Sequence, residues 1–433
     1  MTAGETQRAI EATFRIERAR LIAGLARMVR NIDLAEELAQ DALVIALSEW
    51  PRTCVPANPG AWLMAVAKRR AIDTLRRDKM RERKHEEISR TLDEAPAQNF
   101  GDGTAEMIEA AMDDDLGDEL LGLIFTACHP MLSPDARAAL TLRVVGGLTT
   151  DEIARAFLSS EATIAQRIVR AKKAIAKAGL TFEAPRGAER AARLPSVLEV
   201  IYLIFNEGYA ATAGDDLVRP GLAQEAQRVG RMLAGLMPED AEVHGLLALM
   251  EIQASRLNAR TGPDGAFIPL TEQDRARWDH LLIRRGLDAL ARAEALDGAK
   301  MVDWGPYVLQ AALAACHARA RRAADTDWPR IAALYDRLRA VMPSPVVDLN
   351  RAIAHSMAYG PEAGLRLVDE IVDVDADALR NYAPLPAARG DFLFRAGRLA
   401  EARSEFETAA TLTRNARERA FLLARANACD CRH

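Results

Sequence analysis

Apolar residues recur along this chain at the 3.6-residue period of an α-helix, and almost nowhere at the two-residue period of a strand. Ile22, Leu25, Ala26 and Val29 share one helical face, as do Leu38, Ala42 and Ile45. Leu198, Ile201, Tyr202 and Phe205 repeat the pattern. The spacing predicts an all-α protein, and the abundant Ala, Leu and Arg add intrinsic helix preference. At 433 residues the chain is too long for one compact domain, so two or three are expected.

A net charge of −5 argues against a bulk polyanion binder. The charge is sorted in blocks, however. Residues 64–90 hold ten basic and five acidic side chains, a net +5. Residues 91–119 hold ten acidic side chains and no Lys or Arg, a net −10. Residues 162–182 add Arg167, Arg170, Lys172, Lys173 and Lys177 with no acid among them, again +5. One such block fits a solvated helix face. Two around an acidic stretch fit local anion binding better. Breaks fall at Pro96, Gly101 and Gly103, and at Pro185 and Gly187. They divide the chain into a helical domain over 1–90, an acidic linker over 91–115, a second helical domain over 116–182, and a large region over 186–433.

In the second domain Thr149 is placed to cap a helix, with Glu152 closing a capping box. Ile153, Ala154 and Phe157 give its buried face. Ser159 and Ser160 then open a second helix through Ile164, Ile168, Ala171 and Ile175. Two short helices joined by a tight turn, the second one basic, read as a helix-turn-helix. The exposed side of the second helix carries Glu161, Thr163, Gln166, Arg167, Arg170 and Lys173. Thr, Gln and Arg read base edges, and Arg and Lys hold phosphates. A plain helical hairpin with a solvated basic face fits the same residues.

Two segments of the first domain add to this. Over 58–77 a helix places Trp62, Val66, Arg69, Asp73 and Arg76 on adjoining turns. A basic helix with an aromatic suits a strand whose bases stack and whose phosphates are gripped; simple core packing of Trp62 fits as well. Over 33–41, Asp33, Glu37 and Asp41 repeat every four residues and repel one another. That acidic face is either solvated or docks a basic partner.

The large C-terminal region has repeat character. Gly390, Leu393, Gly397, Ala402, Phe406 and Ala409 follow the small–large–small order of a tetratricopeptide helix pair. Ala352, Gly364, Val368 and Ile371 echo it, and Tyr335, Leu338 and Pro343 resemble the end of another unit. An irregular helical bundle is the alternative. A turn-rich loop is expected at 261–265. Gly208, ending the polar run from Asn206 to Tyr209, reads as a helix C-cap, or as part of a contact with the N-terminal domains.

No catalytic constellation, metal site or cofactor motif is assigned. Cys128 and His129 have no second ligand pair, so Cys128 reads as a core cysteine. Cys429, Cys431 and His433 have ligand-like spacing but sit on a terminus, where chains fray. Five cysteines without a framework suit a reducing compartment. No apolar run approaches the ~18 residues of a membrane span, and no secretory leader is visible. A cytoplasmic protein without membrane association is expected.

In this order the segments resemble a group IV, extracytoplasmic-function RNA polymerase sigma factor. Residues 33–41 resemble region 2.2, which docks on the clamp coiled coil of the polymerase β′ subunit. Residues 58–77 resemble regions 2.3 and 2.4, which recognise and open the −10 element, and 132–177 resemble region 4, which enters the −35 major groove. Residues 123–130 and 202–209 are similar to hallmarks of the subgroup with a long tetratricopeptide-like C-terminal extension. The chain departs from many relatives at Lys68, Arg69 and Arg70, where an Asn commonly follows the first basic residue.

The resemblance implies core RNA polymerase (β′ and β subunits) and promoter DNA as partners, and a protein or small-molecule regulator at the extension. It implies core docking through Asp33, Glu36, Glu37, Gln40 and Asp41. It implies −10 contacts from Trp62, Lys68, Arg69, Arg76 and Arg77, and −35 contacts from Thr163, Gln166, Arg167, Arg170 and Lys173. No catalytic role and no cofactor follow. A stand-alone helix-turn-helix regulator with a sensing helical domain is the alternative.

Overall fold

The computed structural model describes residues 3–90, 116–157, 159–209, 220–260, 262, 268–296, 304–374, 379–413 and 416–430. The acidic linker over 91–115, the expected loop over 261–265 apart from Gly262, and Cys431 and His433 lie outside the described residues. The protein is all-α, with no strand among the described residues. None of the described helices is long and apolar enough to cross a membrane. The chain divides into two compact units, 1–200 and 201–433.

The first unit opens with α1 (Ala3–Val29), α2 (Ile32–Thr53) and α3 (Pro59–Arg90), which pack on one another. Leu21, Ile22, Leu25 and Ala26 of α1 are buried. So are Ala35, Leu38, Ala42, Ala46 and Trp50 of α2, and Leu63, Ala67 and Ala71 of α3. The small residues on α2 let its backbone lie close to α1. Asn31 caps α2, its Oδ1 accepting from the backbone of Asp33 at 2.8 Å and Leu34 at 3.2 Å.

The same unit continues with α4 (Leu116–Ala127), α5 (Pro134–Val144), α6 (Thr150–Ala156) and α7 (Glu161–Lys177). The capping box at Thr149 forms: its Oγ1 accepts from the Glu152 amide at 3.2 Å, and its own amide donates to Glu152 Oε2 at 2.7 Å. Ser160 caps α7, accepting from the Thr163 amide at 3.1 Å. Ile153, Ala154, Ile164, Ile168, Ala171 and Ile175 are buried as the periodicity predicts. Each large one contributes about 1.5–3 kcal/mol relative to exposure.

After an extended segment, α8 (Gly187–Tyr209) begins, and its residues up to 200 belong to this unit. Arg193 donates to the Phe125 carbonyl at 2.9 Å, and Ser196 donates to the Cys128 carbonyl at 2.6 Å. These are carbonyls at the C-terminal end of α4, which the helix itself leaves without donors. Cys128 is a core residue: its Sγ lies 3.3 Å from Thr141 Oγ1, and burial pushes its thiol up to about 11.

The second unit stacks helices in chain order. They are α9 (Pro220–Leu236), α10 (Ala241–Ala254), α11 (His280–Leu296), α12 (Pro306–Arg319), α13 (Trp328–Val341), α14 (Pro345–Tyr359), α15 (Pro361–Val374), α16 (Pro384–Arg395), α17 (Leu399–Leu412) and α18 (Ala416–Ala428). Proline opens the first turn of α12, α14 and α16, where its missing N–H costs nothing. One core runs from α10 to α14 and a second from α14 to α18.

The expected repeat pairs are successive helix hairpins. A Cβ added at Gly390 would meet the Phe406 ring at 3.0 Å, so α16 and α17 approach as the small–large–small order predicts. The upstream echo falls on α14 and α15, and Tyr335 and Leu338 lie on α13.

Gly208 corrects the sequence reading. It lies inside α8 and does not adopt the left-handed conformation of a C-cap. A Cβ there would sit 2.3 Å from the Ala223 nitrogen. The glycine is required by close backbone approach between α8 and α9.

His317, on α12, is packed edge-on against Trp328 at 5.3 Å. Burial, reinforced by Arg256 and Arg275, lowers its pKa to about 4. The unfolded chain therefore takes up a proton near pH 6.5 that the folded chain refuses until about pH 4. Stability is full above that upper value and is lost as pH falls through the window, by about 3 kcal/mol. We expect His317→Gln to flatten this part of the pH–stability curve, as read from melting temperatures of parent and variant between pH ~7 and ~4.

Candidate nucleic-acid interface

The helix-turn-helix presents α7 outward. Glu161, Thr163, Gln166, Arg170 and Lys173 are exposed on it. The Thr163 hydroxyl lies 2.7 Å from Ser160 Oγ and so takes part in the cap. Arg167 is half-buried and reaches Asp135 of α5 at 3.4 Å. Gln166, Arg170 and Lys173 thus form a row of long polar side chains along one face, with Thr163 and Arg167 beside it.

On α3, Trp62 is half-buried with its ring edge-on to the buried Trp50, centroids 5.3 Å apart at 66°. Arg69, Arg76 and Arg77 are exposed and Lys68 is half-buried. Positions 62, 69 and 76 are two turns apart and share one face. The aromatic is therefore anchored at its base below an exposed row of guanidinium groups. Arg70 leaves that row to pair with Asp41 of α2 at 2.6 Å.

The acidic segment on α2 splits in two. Asp33, Glu37 and Gln40 are exposed, and Asp41 is held by Arg70. Glu36 turns inward, its side chain only 12% exposed, and is surrounded by three cations. Arg18 of α1 lies at 2.8 Å, Arg143 of α5 at 3.0 Å and Lys172 of α7 at 2.6 Å. Lys172 also reaches Asp33 at 2.7 Å. Arg18 additionally donates to the Arg143 carbonyl at 2.8 Å. Burial lowers the Arg18 pKa from its ordinary value; Glu36 opposes that shift and Arg143 adds to it.

The cluster joins two segments that the sequence assigned to different tasks. Its members Arg18, Arg143 and Lys172 are absent from the sequence-derived sites. Lys172 had one readable signal: it is four residues from Ile168 and adjoins Ala171, so it flanks the buried stripe of α7. Glu36 likewise adjoins the buried Ala35. Charges so placed are directed toward a packed neighbour rather than toward solvent. Among the described residues, no group of three His, Cys, Asp or Glu side chains is arranged to hold a metal ion.

A helical bundle with an exposed basic face and a helix-turn-helix, carried in one unit, define a class of helical DNA-binding protein. Family comparisons agree. The Sigma-70 region 2 family matches residues 14–81 and the Sigma-70 region 4 family matches 123–175. A family of unknown function, DUF6596, matches 193–294. An uncharacterized protein of Rhizobium meliloti (strain 1021) is 41% identical over 406 residues, covering 94% of this chain and 92% of that protein. The crystal structure of the yeast Tom70 is similar at 11% identity with a TM-score of 0.29, covering 99% of this chain and 86% of that chain. The chain belongs to the sigma-70 family of RNA polymerase sigma factors, as an extracytoplasmic-function type with a C-terminal extension. Its domains are those of DNA-binding regulators that work with core RNA polymerase.

Proposed function

We propose that this sigma factor selects promoters by reading the −35 element with α7 and the −10 element with α3, while α2 docks on core polymerase. The observation that carries the reading is the exposed polar row on α7 of a capped helix-turn-helix. Thr163, Gln166, Arg167, Arg170 and Lys173 meet the −35 major groove. Trp62, Lys68, Arg69, Arg76 and Arg77 engage the −10 strand. Asp33, Glu36, Glu37, Gln40 and Asp41 meet the β′ subunit. The working divisions are 1–90, 91–115, 116–182 and 186–433, with residues 187–200 packed on the second of the helical domains, and the protein acts in the cytoplasm, where polymerase and DNA are. The C-terminal region receives the regulating signal.

The cluster at Glu36 makes the described arrangement a closed form. Asp33 and Glu36 are engaged with Lys172, and core polymerase displaces that lysine when it docks.

The test is transcription in vitro with purified protein and core enzyme. Initiation at a defined promoter is expected, and failure to bind or redirect core would overturn the reading. Arg167→Ala should reduce discrimination at the −35 element by about 1–3 kcal/mol, the loss of one bidentate base contact. Tight, sequence-specific binding to duplex without polymerase would instead favour the stand-alone regulator.

A further inference from the structure

The second unit contains a cleft that promoter reading does not use. Its volume is about 400 Å³. Leu249, Leu313 and Leu338 supply apolar wall, and Gln253, Gln310 and Tyr335 supply hydrogen-bonding groups. Arg256 lines it as well, and is only 8% exposed. Its Nε finds no acceptor, and among the described residues no carboxylate lies within ion-pair distance of it. A buried guanidinium without a counter-ion is costly unless something else completes it.

The geometry says which part of the group is left. Tyr209 and Trp278 each lie 6.0 Å from the Arg256 guanidinium carbon, within range of a cation–π contact. These rings attract the positive charge but satisfy none of the in-plane N–H donors. A carboxylate or phosphate oxygen takes those donors in the fork geometry for which arginine is suited. Arg275 adds to the positive field from above the Trp278 ring at 4.9 Å. The acid nearest to it in effect, Asp325, is already paired with Arg322 at 2.9 Å. His317, also in the lining, is uncharged at neutral pH and adds no second cation there.

We infer that this cleft binds a small organic anion, its acidic group seated on Arg256 and its apolar body against Leu249, Leu313 and Leu338. The inference sharpens the regulator proposed for the C-terminal region to a chemical class. It stands or falls without polymerase or DNA, so its failure is distinct from failure of the promoter reading.

The test is calorimetric titration of the full-length protein at constant ionic strength with benzoate, phenyl phosphate and the neutral benzamide. One or both anions should bind one-to-one and raise the melting temperature, and benzamide should do neither. Arg256→Gln should weaken anion binding by about tenfold or more, the effect of losing one charge-assisted pair. Should that variant fold poorly, Gln253→Glu is a near-isosteric substitution on the same lining. By supplying its own carboxylate it should also weaken the probe about tenfold or more. Binding of neither anion, equal binding of benzamide, or unchanged affinity in the folded variants would overturn the assignment.

Discussion

Replacing Lys172 by Glu is expected to raise the affinity of the protein for core RNA polymerase by about 30- to 150-fold. Lys172 is 11% exposed, with Nζ 2.6 Å from Glu36 and 2.7 Å from Asp33. A carboxylate in its place faces two others, so attraction becomes repulsion and the closed arrangement is lost. Breaking a buried ion pair costs about 3–5 kcal/mol. Asp33 is 70% exposed and its share is screened, so about 2–3 kcal/mol is the better figure here. Apparent affinity is reduced by whatever fraction of the protein is closed, and this change removes that reduction. Asp33 and Glu36 are poor sites for the experiment, because they belong to the cluster and to the proposed docking face together. Lys172 belongs only to the cluster, and a competition assay with core alone keeps DNA contacts out of the readout. Lys172→Met should give a smaller rise, and added salt should narrow the gap between parent and variant. Affinity that stays level or falls in Lys172→Glu would end the closed-form reading.

What was legible in the sequence was local. Thr149 and Glu152 are three residues apart, and their capping box needs nothing beyond its own turn. The buried stripe Ile164, Ile168, Ala171 and Ile175 follows from the helical period alone. Gly390 and Ala402 announced the close approach of α16 and α17 because small residues opposite an aromatic have one common use. The cluster at Glu36 was not legible, since its partners lie 18 residues away at Arg18 and 136 away at Lys172. Charge patterning marks polar faces and does not say which two faces meet. Gly208 was read as a C-cap or as part of a contact with the N-terminal domains; the close approach of Ala223 that requires it depends on how two helices pack, which spacing along the chain does not show. Simple core packing of Trp62 is only half met. It is half-buried on Trp50, part core and part surface.

A chain ending at residue 182 should be less stable than one ending at 200 by about 3–5 kcal/mol, although neither contains the second unit. The sequence alone recommends the shorter cut, before the break at Pro185. The structure argues against it. Arg137 of α5 is 7% exposed and donates to Ser196 and Glu199 of α8, the latter at 3.0 Å. Cutting at 182 leaves that guanidinium without these partners. It also removes the donors that Arg193 and Ser196 supply to the Phe125 and Cys128 carbonyls. Arg193 further covers the Phe125 ring at 5.7 Å. Urea unfolding of the two fragments measures the difference. Labelling of Cys128 by a thiol reagent gives a second readout, because that thiol is protected only while its surroundings stay packed. Equal stability and equal labelling would show that residues 187–200 contribute nothing to the helix-turn-helix domain. If the difference appears, lost promoter activity in the 182 fragment reports a damaged helix-turn-helix domain. Only a cut at 200 or beyond then tests whether the C-terminal region regulates initiation.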